Sequence, residues 1–547
     1  MRPSVLAAAS RAERQVLWQA SAIAGSAALV LALVVPRGGD AAAHLYRTLL
    51  VEHGALLWDN LWFAGQYPLV SYSLFYYLPA ALFGNPALAA TAVVASGLLF
   101  ASLALRTFGT GARWPAYAFA AVAGGQFFTG DYPYTAGFAA LLATLWALQR
   151  GRTWLAVACA ALTLGCSPLA FLFLGLTLLA LCIGSSQPRS RILILGASLA
   201  VLVAVELGAL LLFPSPGLYY PFGLWRLVLG VPVGLLGIAL SRQSRAARPH
   251  FWIFIVWTAA TVLAYLVPSP VGHNLLRPGA VVFPLMLLAA VLCRFRPRWL
   301  AYSAVAVALA ANVGPYVATV ISRSDPAAQA SFWTPLLRYV AVHSARDYRI
   351  EVVPTINHWE AYYVPRAGFA IARGWYQQLD NGENPGLNRR GLTAPSYRSW
   401  LRTVGVRFVV LAKDAIAAGS VAEARLLRSG SSGLVRVFAA SDGSVYELPR
   451  PTPIITGPGR AAVTGLSFST VDGWTAGRGD YLLRVHYTPL WRVRAGALCP
   501  RRAAGGMTLL DVRGPGPFRL RAAETAGTVI DMVVDGDERS SSGCDLR

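Results

Sequence analysis

Apolar runs with arginines between them dominate this chain, and that alternation restricts its folds more than any other feature. The runs lie near 16–35, 88–105, 114–128, 135–148, 154–167, 168–183, 192–213, 224–240, 251–267, 280–293 and 299–320. Arginines fill alternate gaps: Arg2, Arg11 and Arg14; Arg106 and Arg113; Arg150 and Arg152; Arg189 and Arg191; Arg242, Arg245 and Arg248; Arg294, Arg296 and Arg298. Basic residues flanking membrane spans collect on the cytoplasmic side. Placing these groups there predicts eleven transmembrane helices, a cytoplasmic N-terminus and an extracytoplasmic C-terminal region. The first run is expected to be a retained helix, because no small-residue cleavage site clearly follows it.

Composition supports this reading. The sequence is 56% hydrophobic and only 13% charged, outside the usual range of soluble domains. The net charge of +22 is spread in small groups between apolar runs, so it marks topology and excludes a nucleic-acid face. Lys413 is the only lysine, which reads as a G+C-rich genome of actinobacterial type. Cys159, Cys166, Cys182 and Cys293 fall in apolar runs as small core residues. Cys499 and Cys544 are the two in the polar C-terminal part, where an oxidising compartment would allow a disulfide between them.

The topology sets local constraints. Residues 68–84 cannot form a full span without inverting every later loop, so they belong to a long first external loop, 36–87, as an interfacial or re-entrant segment. Residues 154–183 must form two short helices broken at Ser167-Pro168. From about 325 the pattern changes to short alternating segments bounded by Gly, Pro and Ser. The expected domains are therefore a membrane domain over 1–324, a mixed α/β region over 325–430 and an all-β, sandwich-like domain over 431–547, the last two extracytoplasmic.

Candidate chemistry concentrates in the external loops. The first begins Arg37-Gly-Gly-Asp40-Ala-Ala-Ala-His44-Leu-Tyr-Arg47. On a helix from Ala41 to about His53, Asp40, His44 and Arg47 fall at i, i+4 and i+7 on one face. Asp40 there is either a general base, with His44 and Arg47 beside an anionic head group, or the N-cap of the helix. Trp58, Asp59 and Trp62 combine aromatic faces with a carboxylate, which suits a sugar ring and equally suits a membrane interface. Asp131 in the second external loop is a second carboxylate, a metal partner for Asp40 or simple turn chemistry. His273 and Arg277 follow in the loop 268–279. Arginine outside runs against the charge bias, so Arg277 calls for a phosphate or an ion pair with the C-terminal part. Glu360 and Trp375 lie in polar-aromatic stretches compatible with a sugar or with an ordinary domain surface. No P-loop, His-Glu-x-x-His, Cys-x-x-Cys or Gly-x-Ser-x-Gly motif occurs.

The span, the long first external loop and its early acidic residue resemble the GT-C superfamily, membrane glycosyltransferases that use polyprenyl-phosphate sugars. More narrowly, Trp58-Asp-Asn-Leu-Trp-Phe-Ala-Gly-Gln-Tyr-Pro68 and Tyr487-Thr-Pro-Leu-Trp-Arg-Val493 look similar to actinobacterial membrane proteins labelled pyruvoyl-tetrahydropterin-synthase-related. The superfamily resemblance implies inverting transfer to an envelope glycan or glycolipid at the outer membrane face. Asp40 would deprotonate the acceptor hydroxyl, and Asp131 is carried over less directly. The partners implied are a lipid-linked sugar donor, a glycan or glycolipid acceptor and membrane lipids, with a divalent cation (Mg or Mn) held by Asp40 and Asp131 if one takes part. The competing readings are a transporter or flippase of a lipid-linked intermediate, which Glu206 within the run 192–213 favours, and a non-catalytic scaffold carrying a carbohydrate-binding module.

Overall fold

The structure, a computed structural model, describes residues 10–34, 38–66, 73–127, 129–184, 189–213, 222–243, 247–322, 325–343, 346–387 and 391–535. The helices of the first part are α1 (Arg11–Val34), α2 (Gly39–Glu52), α3 (Tyr77–Phe83), α4 (Asn85–Phe108), α5 (Arg113–Val122), α6 (Tyr132–Gln149), α7 (Thr153–Cys166), α8 (Pro168–Gly184), α9 (Arg189–Leu212), α10 (Leu224–Ser241), α11 (Arg248–Leu266), α12 (Gly279–Cys293) and α13 (Arg298–Ser322). Two compact units result. The first comprises Met1–Gly38 and Val70–Arg323; the second comprises Gly39–Leu69 and Ser324–Arg547.

In the first unit a helix lies on each of the eleven apolar runs, that on 114–128 ending at Val122. Six segments among the described residues are long and apolar enough to cross a membrane: Arg11–Leu33, Asn85–Gly125, Leu193–Leu212, Leu224–Ser241, Arg248–Leu266 and Gly272–Cys293. The protein is thus a multi-pass membrane protein, with six such segments rather than a demonstrated eleven. Helix α3, at seven residues, is about 10 Å long and too short to span. α1 buries Val16, Ala20, Ala24 and Ala28, one residue per turn, and packs this small-residue stripe on α4 and α5. Between α7 and α8, Ser167 is extended, as expected for a residue before proline. The break frees the Gly165 carbonyl, which accepts from Ser73 Oγ (3.0 Å) and the amides of Leu74 and Phe75 (both 2.8 Å).

In the second unit, α2 is followed by α14 (Ala330–His343), β1 (Arg349–Val352), α15 (Glu360–Arg366), α16 (Gln377–Glu383), α17 (Ala394–Thr403), β2 (Val406–Ala412), α18 (Val421–Arg428), β3 (Val435–Ala440) and β4 (Gly443–Glu447). Their sheet has the order β1-β2-β4-β3, with β1 parallel to β2 and the remaining pairs antiparallel. The mixed α/β part therefore runs through Glu447. Then follow β5 (Ile455–Thr456), β6 (Ala461–Leu466), β7 (Thr470–Thr475), β8 (Gly479–His486), β9 (Trp491–Ala495), β10 (Leu498–Arg502), β11 (Met507–Val512), β12 (Gly516–Ala522) and the helix α19 (Ala526–Asp535). They form two antiparallel sheets, β10-β11-β8-β5 and β6-β7-β12-β9. Both sheets contribute to one core of Val463, Val471, Tyr481, Leu483, Leu510, Phe518 and Leu520, so they face each other as a β-sandwich. Cys499 on β10 is disulfide-bonded; Cys544 lies outside the described residues.

Candidate active site

The candidate residues fall in both units, and each unit is considered alone. In the second, α2 begins at Gly39, so Asp40 sits in the first helical turn, one step beyond the cap position expected for it. A carboxylate there is favoured by the helix dipole. Asp40 is half-buried, while His44 and Arg47 on the same face are buried. The turn carrying Asp40 is held by the C-terminal part of the unit. Trp375 Nε1 donates to the Gly39 carbonyl at 2.9 Å. A Cβ on Gly39 would lie 2.9 Å from Asn357 Oδ1, so the helix start closely approaches that loop. Asn357 and Trp359 donate in turn to Asp325 Oδ2, at 2.7 and 2.9 Å.

Sequence reasoning offered Trp58, Asp59 and Trp62 to a sugar, and the structure places all three in the interior. Trp58 meets Trp491 edge-on, at 6.4 Å and 68°, within the sandwich core. Those tryptophans belong to the two stretches that carried the narrower resemblance, so the stretches meet by packing. The amides of Leu56, Leu57 and Trp58 donate to the Glu524 carboxylate at 2.6 to 3.0 Å. Asp59 accepts from Tyr46 Oη at 2.5 Å and from the Leu61 amide at 2.9 Å. Burial pushes its carboxyl up to about 6, against these donors and nearby Arg349. Trp62 Nε1 donates to Asp380 Oδ1 at 2.9 Å. Gly65 closes the loop with φ +74°, and a Cβ there would strike the Trp58 ring at 2.7 Å. Aromatic and acidic content in a loop resembles a sugar platform from sequence, but here it forms a core.

Glu360 is also buried, accepting from Thr355 Oγ1 at 2.7 Å and from the Thr355 amide at 3.2 Å. Two further buried groups carried no sequence signal. Arg349 donates to the carbonyls of Asn60, Leu61 and Arg484 at 3.0 to 3.4 Å and lies over Phe63. Arg373 bridges Glu351 and Glu423, whose other oxygen accepts from Tyr397 Oη at 2.6 Å.

Several buried carboxyls make this unit sensitive to pH. Burial raises Asp380 to about 7 and Asp347 to about 6, alongside Asp59. Each folded value exceeds its unfolded one, so their contribution is complete below about pH 4 and is lost as pH climbs through 6 to 7. Burial lowers His486 to about 4, which opposes this between its folded and unfolded values. Three groups outweigh one. The unit's melting temperature, followed by tryptophan fluorescence, is expected to fall as pH is raised from about 4.5 to about 7. A rising melting temperature over that range would contradict this.

In the first unit, Asp131 caps α6, accepting from the Tyr134 amide at 3.4 Å, and ion-pairs with Arg277. Arg277 Nε also donates to Asn274 Oδ1 at 2.9 Å, and its guanidinium lies 5.9 Å from the Tyr134 ring centroid. Arg277 therefore meets an acid of its own unit. His273 lies half-buried on the short 3₁₀ turn Gly272–Leu276 just before it. Pro278, next to Arg277, lines an apolar cavity of about 670 Å³ whose wall includes Phe138, Leu145, Phe173, Ile253 and Trp257. That volume falls in the range of ligand sites. Among the described residues no group of three or more His, Cys, Asp or Glu side chains is placed to hold a metal ion.

No protein-family model matches the chain, and no curated protein matches it. Solved structures do. A mutant form of the arabinofuranosyltransferase AftD from Mycobacteria gives a TM-score of 0.53 at 17% identity, over 82% of this chain and 42% of that one. A second AftD structure gives 0.52 at 16% identity, over 82% and 40%. ArnT from Cupriavidus metallidurans gives 0.42 at 12% identity, over 80% and 99%. The chain thus spans less than half the length of the AftD chains it matches. At such identities the likeness to AftD is one of fold.

Proposed function

We propose that this protein is a membrane glycosyltransferase of the GT-C type. It moves a sugar from a polyprenyl-phosphate donor to a glycan or glycolipid of the cell envelope, on the extracytoplasmic face and with inversion. The observation that carries the reading is the apolar cavity of the first unit, whose wall includes Pro278, next to Arg277 in the chain. A polyisoprenoid tail needs a dry, chain-sized space, and its phosphate needs a cation at the mouth. Arg277 supplies that cation as a planar donor matched to phosphate oxygens. Asp131, already engaged with Arg277 and with the α6 amide, orients the guanidinium.

In the transfer, Asp40 takes the proton from an acceptor hydroxyl. That oxygen attacks the anomeric carbon, the bond from carbon to the phosphate oxygen breaks, and polyprenyl phosphate leaves as the anion. His44 and Arg47 share the Asp40 face of α2. The eleven-helix count, the cytoplasmic N-terminus, the outward C-terminal unit and the narrower actinobacterial resemblance belong to the same proposal.

Incubating the purified chain with a radiolabelled polyprenyl-phosphate arabinofuranose tests it, a donor chosen because the fold neighbour AftD is an arabinofuranosyltransferase. Label is expected to appear in an acceptor glycan. Tight donor binding without transfer would instead favour a carrier of lipid-linked sugars.

A further inference from the structure

One cluster in the second unit is not used by this mechanism. His358 follows Asn357, the residue packed against Gly39, and Gln377 stands two residues after Trp375, which hydrogen-bonds the Gly39 carbonyl. Both residues therefore neighbour, in the chain, groups that touch Gly39 at the start of the turn that carries Asp40. His358 has φ +53°, a left-handed backbone uncommon outside glycine, asparagine, aspartate and histidine. Its Nδ1 is 3.1 Å from Glu360 Oε1, and its Nε2 meets the side-chain amide of Gln377.

The proton positions follow from Glu360. Both its oxygens already accept from Thr355, so the carboxylate acts as an acceptor and draws a proton onto His358 Nδ1. A neutral imidazole protonated at Nδ1 presents a lone pair at Nε2. In this structure the Gln377 amide fills that position. Gln377 opens a short helix and is exposed, so a ligand can displace it at small cost, whereas buried Glu360 cannot move. Trp359 and Trp375 flank the two residues in the chain.

We propose that the Glu360–His358 dyad is a recognition site for a sugar hydroxyl, which donates to His358 Nε2 in place of Gln377 and so seats the acceptor glycan beside Asp40. This deepens the glycosyltransferase reading and rests on it. Asn in place of His keeps the left-handed backbone accessible, so His358→Asn separates loss of the ring from loss of the loop.

The test uses the full chain in detergent and a panel of octyl glycosides (arabinofuranoside, galactofuranoside, mannoside and glucoside), with binding read by tryptophan fluorescence and transfer read separately. At least one glycoside is expected to bind, with affinity about tenfold weaker in His358→Asn, the scale of one lost hydrogen bond in a closed site. Gln377→Ala should bind as well as the wild type or better. In transfer, His358→Asn should raise the acceptor KM while leaving the donor KM unchanged, which a merely structural role would not do. No glycoside binding by the wild type, or undiminished binding by His358→Asn, overturns the site. Binding that depends on His358 without any transfer would keep the site and remove the glycosyltransferase reading.

Discussion

Replacing Asp40 with Asn is expected to abolish sugar transfer while leaving the protein folded. The substitution keeps shape and hydrogen-bonding length but removes the lone pair that accepts the acceptor's proton. General-base contributions are on the order of 10²–10⁴-fold in rate, so the variant should retain about 1% of activity or less. Its effect on stability should be small. Asp40 stands in the first turn of α2, and losing a dipole interaction there costs about 0.3–1 kcal/mol. Donor binding should persist, because Arg277 and the apolar cavity proposed for the donor belong to the other unit. The check is transfer by Asp40→Asn alongside its melting temperature and donor affinity. Full activity would remove the central assignment, and an unfolded variant would show that Asp40 serves the helix instead.

The second large effect concerns stability. Arg373→Ala is expected to destabilise the C-terminal unit by about 3–5 kcal/mol. Arg373 is buried and holds both Glu351 and Glu423, with Nε 3.0 Å from Glu351 Oε1. Burial raises the Glu351 carboxyl well above its usual value, and Glu423 adds repulsion that only the guanidinium offsets. Removing it leaves two carboxyls and the Tyr397 hydroxyl in an apolar setting without a cation. The guanidinium also lies 5.5 Å from the Trp400 ring centroid, so tryptophan fluorescence reports on the cluster directly. Combining Arg373→Met with Glu351→Gln and Glu423→Gln should recover much of the loss, because neutral groups need no counter-ion. A loss below about 1 kcal/mol in the single variant would show that the cluster is solvated, unlike the buried network described above.

The membrane part was largely readable because a bilayer imposes one rule on every span. Helices lie on all eleven runs, and the break at Ser167 lies where proline forbids the preceding residue a helical backbone. Asp40, His44 and Arg47 on one helical face were readable for a similar reason, since the spacing of three residues is local. What failed was long-range. β1 reads Arg-Ile-Glu-Val, an alternation that suggests one wet face, yet all four residues are buried. Its polar face meets Arg373 and the Asn60–Leu61 carbonyls, brought from positions 22 residues later and nearly 290 residues earlier in the chain. Trp58, Asp59 and Trp62 are buried for the same reason: a loop's aromatics look available until the distant segments that cover them, Trp491 over Trp58 and Tyr376 and Asp380 over Trp62, are known. Arg277 pairs with Asp131 across 146 positions, a distance over which composition carries no information.

The most direct measurement is a product balance on purified wild-type protein, with donor labelled in both sugar and lipid. The account predicts that each sugar joined to acceptor is matched by one polyprenyl phosphate released, with inverted configuration at the anomeric carbon. Donor recovered intact on the opposite leaflet of a proteoliposome, with no new glycosidic bond, would contradict it.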